Sequence, residues 1–256
     1  MSLHIINVKY KINPKYEDDF KSFLFGLKDN FEANKHTIHK ARNELKIIQN
    51  KGIDTVVKAF KIPNIMNRIA YSYLRKGKAN KSYEYSLKIG DFTPEPIGYI
   101  EFYDGGLLKE SYFVSEKFAY DFTIREPLLD KNFPESEEIF RAFGRFTYDL
   151  HEAGIFHNDY SPGNILIKKE DEKYIFKIVD INRMKFFDSY VMDQKTRAKN
   201  FSKLWASDAI LRIMADEYKK YYSCDENFES QVLEYSNKNK QLKNFKKRLK
   251  GHKVVD

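Results

Sequence analysis

One segment constrains this chain more than any other: His157-Asn158-Asp159-Tyr160-Ser161-Pro162-Gly163-Asn164, which runs straight into the apolar Ile165-Leu166-Ile167. A second apolar run, Tyr174 to Val179, then ends at Asp180. The polar stretch Lys169 to Lys173 between the two runs reads as a turn, so Asn164 to Lys168 and Tyr174 to Val179 are predicted to be paired short strands. Upstream, Ile139, Phe140, Phe143, Phe146, Thr147 and Leu150 recur at helical spacing from Glu135 to His151, and Gly154 supplies the stop. An aspartate and an asparagine five residues apart thus sit on a loop between a helix and a strand. The hairpin that follows must bring a second aspartate back beside them.

Around this segment the period of the pattern changes. His4 to Ile12, His36 to Ile48, Asp54 to Phe60, Ile97 to Tyr103 and Leu107 to Phe118 read as strands, with the turns Asn50-Lys51-Gly52 and Asp104-Gly105-Gly106. Tyr16 to Leu27, Asn64 to Arg75 and Ala79 to Ile89 read as inserted helices, and Pro94 and Pro96 follow the last of them. From Gln194 to Leu249 the chain reads as helical. There is no internal repeat and no linker, so a strand-rich half (1–118) and a mainly helical half (119–256) are expected to pack as lobes.

With 21 Phe and 18 Tyr in 256 residues, the chain can bury enough apolar area to offset its conformational entropy. Its single cysteine, Cys224, excludes an internal disulfide framework and a cysteine-based zinc site. No apolar stretch approaches the length of a membrane span, and lysines interrupt the N-terminal segment where a signal peptide would be hydrophobic. A cytoplasmic protein is expected. The net charge of +8 is unevenly placed: Asn237 to Lys253 carries eight Lys or Arg and no acid, and Thr55 to Tyr83 carries seven and no acid. The remaining 210 residues are therefore net acidic.

The residue types point to phosphoryl transfer, whose chemistry is mainly positioning and charge neutralisation. Asp159 suits the general base that takes a proton from an attacking hydroxyl. Asn164 and Asp180 supply the hard oxygen ligands that magnesium prefers. A cation for the phosphates belongs upstream on a strand, and Thr55-Val56-Val57-Lys58-Ala59-Phe60 provides Lys58 in a V-A-I-K-like setting. In the helix Ala79 to Ile89 the only acidic residue is Glu84, which makes it the candidate partner for Lys58. His157 is expected to brace the loop, His151 to lie on a surface or cap a helix, and Trp205 to pack with Leu204 and Ile210.

The ordered set Lys58, Glu84, Asp159, Asn164 and Asp180 resembles the protein-kinase-like fold: an α+β, two-lobed architecture with an antiparallel-sheet N-lobe and a mainly helical C-lobe. VVKAFKIPN, TPEPIGY and the small size make the chain similar to the lipopolysaccharide core kinases, the Kdo and heptose kinases. That resemblance implies ATP as phosphoryl donor with Mg2+, and a hinge at Ser115 to Phe118 whose Glu116 and Phe118 would meet the nucleotide. It also implies an acceptor in the lipopolysaccharide core or another lipid-linked sugar, reached at the inner face of the cytoplasmic membrane.

Departures from the family pattern are equally legible. No glycine falls between Leu27 and Lys51, so a Gly-rich phosphate loop is missing and the turn Ala41-Arg42-Asn43 is its expected substitute, with Arg42 toward phosphate. D-F-G becomes Asp180-Ile181-Asn182, A-P-E is absent, Asn158 replaces the usual arginine, and Ser161 stands where protein kinases carry a lysine. These changes favour a sugar or other small acceptor over a regulated protein substrate. A kinase of a soluble substrate, small molecule or RIO-like, and a catalytically inactive scaffold remain the other readings. In Asn237 to Lys253, Leu242, Phe245 and Leu249 are spaced to form an apolar stripe on a basic helix, suited either to an anionic membrane surface or to docking on the C-lobe. No reader motif for nucleic acid occurs, and none is expected to bind.

Overall fold

The computed structural model describes residues 7–40, 43–62, 76–188 and 192–251. It divides into two compact units, Met1–Phe118 and Ala119–Asp256. The expected helix Asn64 to Arg75 lies outside the described residues.

Unit 1 is built on a six-stranded antiparallel sheet. Its strands are β1 (Asn7–Ile12), β2 (Thr37–Lys40), β3 (Glu44–Asn50), β4 (Ile53–Ala59), β5 (Pro96–Asp104) and β6 (Leu107–Glu116), in the spatial order β1-β5-β6-β4-β3-β2. The stretch predicted as one strand from His36 to Ile48 is two, β2 and β3, paired antiparallel with Lys40 opposite Glu44. Likewise the helix predicted from Tyr16 to Leu27 is two, α1 (Glu17–Phe25) and α2 (Leu27–Ala33), parted at Gly26. Their Phe20, Phe23, Leu24, Leu27 and Phe31 are buried with Ile48, Val57, Ile97, Ile100 and Val114 of the sheet. The helix α3 (Lys78–Ile89) contributes Ala79 and Tyr83 to a second cluster with Phe60 and Tyr99, against which Phe113 packs. Strand alternation thus feeds two apolar layers.

Unit 2 has three short strands in one sheet, β7 (Phe122–Thr123), β9 (Ile165–Glu170) and β10 (Lys173–Ile178), and two in another, β8 (Ile155–His157) and β11 (Met184–Phe186). Its helices are α4 (Arg125–Leu129), α5 (Ser136–Glu152), α6 (Gln194–Asn200), α7 (Asp208–Lys219) and α8 (Phe228–Leu249). β7, β8 and β11 are too short for alternation to announce them. On α5 the periodic face is core, as its spacing predicts: Phe143 stacks on Tyr160 at 5.4 Å and Phe146 on Phe176 at 5.1 Å between ring centroids.

α8 docks otherwise than its sequence suggests. Phe228, Val232 and Ser236 are buried, whereas Leu242, Phe245 and Leu249 are 60%, 59% and 72% exposed. Docking on the C-lobe by these three residues is therefore ruled out. The outer turns are held by polar anchors instead, with Asn239 Nδ2 donating to the Ser202 carbonyl and Lys240 Nζ to the Ala206 carbonyl, both at 2.7 Å.

Candidate active site

β8 and the start of β9 fix the ends of the 158–164 loop, and hydrogen bonds inside it fix the middle. The Asp159 amide donates to His157 Nδ1 at 3.0 Å, and Asn164 Nδ2 donates to the Asp159 carbonyl at 2.9 Å. That bond commits the amide nitrogen of Asn164 and leaves its oxygen as the ligand-type atom. The Val179 amide donates to the Asn164 carbonyl at 2.9 Å, extending the β9–β10 ladder past Ile165 opposite Ile178 and drawing Asp180 to the asparagine. Asp180 has a left-handed backbone (φ 59°), stabilised locally by Asn182 Nδ2 on its Oδ1 at 3.1 Å. The structure therefore brings Asp159, Asn164 and Asp180 together, as their sequence order suggests. A carboxylate and an amide oxygen are a hard donor pair suited to a magnesium ion that completes its shell with water and phosphate oxygens.

His157 braces this arrangement. It is buried; Nδ1 accepts the Asp159 amide, so Nε2 carries the proton and donates to the Val179 carbonyl at 3.0 Å. Burial holds its pKa below the usual histidine range. A second layer lies behind it, where Asn200 Nδ2 donates to the His157 carbonyl at 3.0 Å. With that amide committed, Asn200 Oδ1 accepts from His151 Nε2 at 3.0 Å, and His151 Nδ1 accepts from the Tyr218 hydroxyl at 2.9 Å. Arg197 Nη1 donates to the same hydroxyl at 3.0 Å. His151, expected at a surface or a cap, is fully buried in this chain of donors and acceptors, and burial pushes its pKa down to about 3. Helical spacing could not show that polar partners from α6 and α7 meet it there.

Sequence reasoning also missed Arg125. A β-carbon at Gly163 would lie 2.6 Å from Arg125 Nη2, so glycine is what lets the guanidinium close on the loop between Asp159 and Asn164. The side chain makes no ion pair among the described residues. It is a cation beside the loop in which Ser161 replaces the usual lysine.

In unit 1, Lys58 sits on β4 between Leu45 and Phe113 of the neighbouring strands, with its ammonium 5.3 Å from the Phe60 ring. Glu84 is on α3 as expected, but its carboxylate pairs with Lys76 at 2.6 Å and with Lys11 at 3.7 Å. Lys11 belongs to β1, the third strand along from β4, and these two pairs are the ones the described residues show for the Glu84 carboxylate. Glu116 ends β6 and accepts the Tyr16 hydroxyl, while its amide and that of Lys117 donate to the Glu95 and Asp54 carbonyls, each at 2.9 Å. Phe118, half-buried, closes the unit, and its amide makes no backbone hydrogen bond among the described residues. Arg42 lies outside the described residues. No cluster of three or more His, Cys, Asp or Glu among the described residues could hold a metal alone.

Residues 99–222 match the model of the lipopolysaccharide kinase (Kdo/WaaP) family. Among solved structures the chain is similar to WaaP in complex with acyl carrier protein, at 14% identity and a TM-score of 0.60, covering 91% of this chain and 99% of that one. No curated protein matches the sequence. Residues 99–222, the stretch that holds Asp159, Asn164 and Asp180, are thus similar to the lipopolysaccharide kinase (Kdo/WaaP) family, a likeness that supports a phosphotransferase, and the fold is the two-lobed protein-kinase-like one.

Proposed function

We propose that the protein transfers the γ-phosphate of ATP to a sugar hydroxyl of the lipopolysaccharide core, on Kdo or heptose. The observation that carries this reading is the hydrogen-bonded loop that unites Asp159, Asn164 and Asp180. The Asp159 carboxylate orients the acceptor hydroxyl and takes its proton as that oxygen bonds to the γ-phosphorus and the bond to the β-phosphate oxygen breaks. Asn164 and Asp180 would hold Mg2+, whose charge offsets that of the phosphates. Lys58 contacts the α and β phosphates, Arg125 adds positive charge beside the loop, and the hinge at Glu116 to Phe118 meets the base. An acceptor built on a lipid suits a protein that can rest on an anionic membrane, and the exposed Leu242, Phe245 and Leu249 on the lysine-rich α8 favour that peripheral location. Among the described residues no helix is long and apolar enough to cross one.

The decisive experiment is mass spectrometry of the core from cells with and without the gene, combined with transfer of labelled phosphate from ATP to deacylated core by the purified protein. Loss of one phosphate in the deleted strain and transfer in vitro are expected; an unchanged core together with no transfer would sink the reading. Sedimentation with phosphatidylglycerol vesicles tests the membrane role. Binding should fall steeply in Leu242→Glu/Phe245→Glu.

A further inference from the structure

Trp205 is the chain's only tryptophan, and it was expected in the core. It is 39% exposed instead, between buried Leu204 and Ala206, with a left-handed backbone (φ 61°) that is costly for a bulky side chain. The strained residue holds the indole out on the surface. Over its ring stand two ammonium groups of α8, Lys243 at 4.8 Å and Lys247 at 5.7 Å from the centroid.

This corner is tied to the catalytic loop by short steps. Lys240 and Asn239 clamp α8 to the backbone at Ala206 and Ser202, and Asn200 at the start of that stretch holds the His157 carbonyl, two residues from Asp159. Partial burial, Lys203 and Lys247 together hold the Lys243 ammonium below the usual lysine range, while the Asp159 carboxylate acts on it in the opposite sense. Lys203, Lys243 and Lys247 make no ion pair among the described residues. Two ammonium groups over an exposed indole, with the Lys203 charge acting on one of them, have no anion partner among the described residues, and the Asp159 carboxylate acts on the same lysine.

Resting on the kinase reading above, we propose that Trp205 with Lys203, Lys243 and Lys247 forms the acceptor subsite: the indole face takes a sugar ring, and the ammonium groups take its phosphate or carboxylate substituents. The two faces of α8 then have separate tasks. Lys243 and Lys247 face the acceptor, and Leu242, Phe245 and Leu249 point elsewhere on the helix, a quarter turn or more away at 3.6 residues per turn.

The sole tryptophan makes the test direct. The full-length protein, without nucleotide, is titrated with deacylated, phosphate-bearing core oligosaccharide while Trp205 emission is followed, and the titration is repeated with the same oligosaccharide dephosphorylated. A saturable change is expected, weakened at least tenfold in Lys243→Gln/Lys247→Gln, with less dependence on salt. Loss on dephosphorylation assigns the anion to phosphate; retention with the same lysine dependence assigns it to carboxylate. Emission that does not saturate, or a double variant that binds as the parent does, overturns the subsite. In turnover assays Trp205→Ala should raise KM for the acceptor and leave KM for ATP in place, and an unchanged acceptor KM in the folded variant also overturns it. Binding without phosphate transfer defeats the kinase reading and spares the subsite. Transfer with silent emission does the reverse.

Discussion

The loop around Asp159 and the surface around Glu84 both carry residues that sequence order marks for phosphoryl transfer, yet they are built differently. In the loop, backbone amides, His157, Asn164 and the β9–β10 ladder fix each group through several hydrogen bonds, and a second layer through Asn200, His151 and Tyr218 lies behind. Glu84 has two ion pairs with lysines that are 59% and 60% exposed, a kind of contact that contributes at most about 1 kcal/mol. Dense, partly buried hydrogen bonding leaves little freedom in position, whereas solvent-screened pairs leave much. The difference teaches which residues in this chain are pre-organised for chemistry.

The largest expected effect tests the loop. Asp159→Asn should lower kcat by about a hundredfold to ten-thousandfold, with circular dichroism and melting temperature close to the parent. Transfer near the parent rate would remove Asp159 from the role of base.

Acid should weaken the loop's support through its two buried histidines. His151 titrates near 6.5 in the unfolded chain but only at about 3 when folded. Its folded pKa is the lower one, so its contribution is complete above the unfolded value and is lost as pH falls from there toward about 3. His157 shifts in the same direction. Urea unfolding across that range should show a steep loss of stability, and His151→Gln should flatten it. A parent slope no steeper than that of the variant breaks the comparison.

Asn200→Ala removes the link between the two layers, taking away the side-chain donor to the His157 carbonyl and the acceptor of His151 Nε2, at a cost of about 1–3 kcal/mol. Chemical denaturation measures it, and a change below about 0.5 kcal/mol would show that the second layer does not support the loop. The smallest effect is expected for Glu84→Gln, which should change kcat/KM less than about threefold, in keeping with an exposed ion pair. Collapse of activity there would mean that Glu84 does orient Lys58, making the two regions alike.

The sequence by itself determined the order of lobes, most strands of the large sheet and the three groups of the 158–180 segment. These depend on local spacing: a five-residue loop and one hairpin carry Asp159, Asn164 and Asp180 to the same place whatever surrounds them. Other features depended on which elements meet, and periodicity holds no record of that. Tertiary packing alone buried His151 among Arg197, Asn200 and Tyr218, turned Glu84 to Lys11 and Lys76, closed Arg125 on Gly163, and put Trp205 on the surface beneath two lysines of α8. Hydrophobic pattern reports that a face is buried or exposed. The partner of a polar group is set by rotation and offset between elements distant in sequence, and only the assembled structure fixes those.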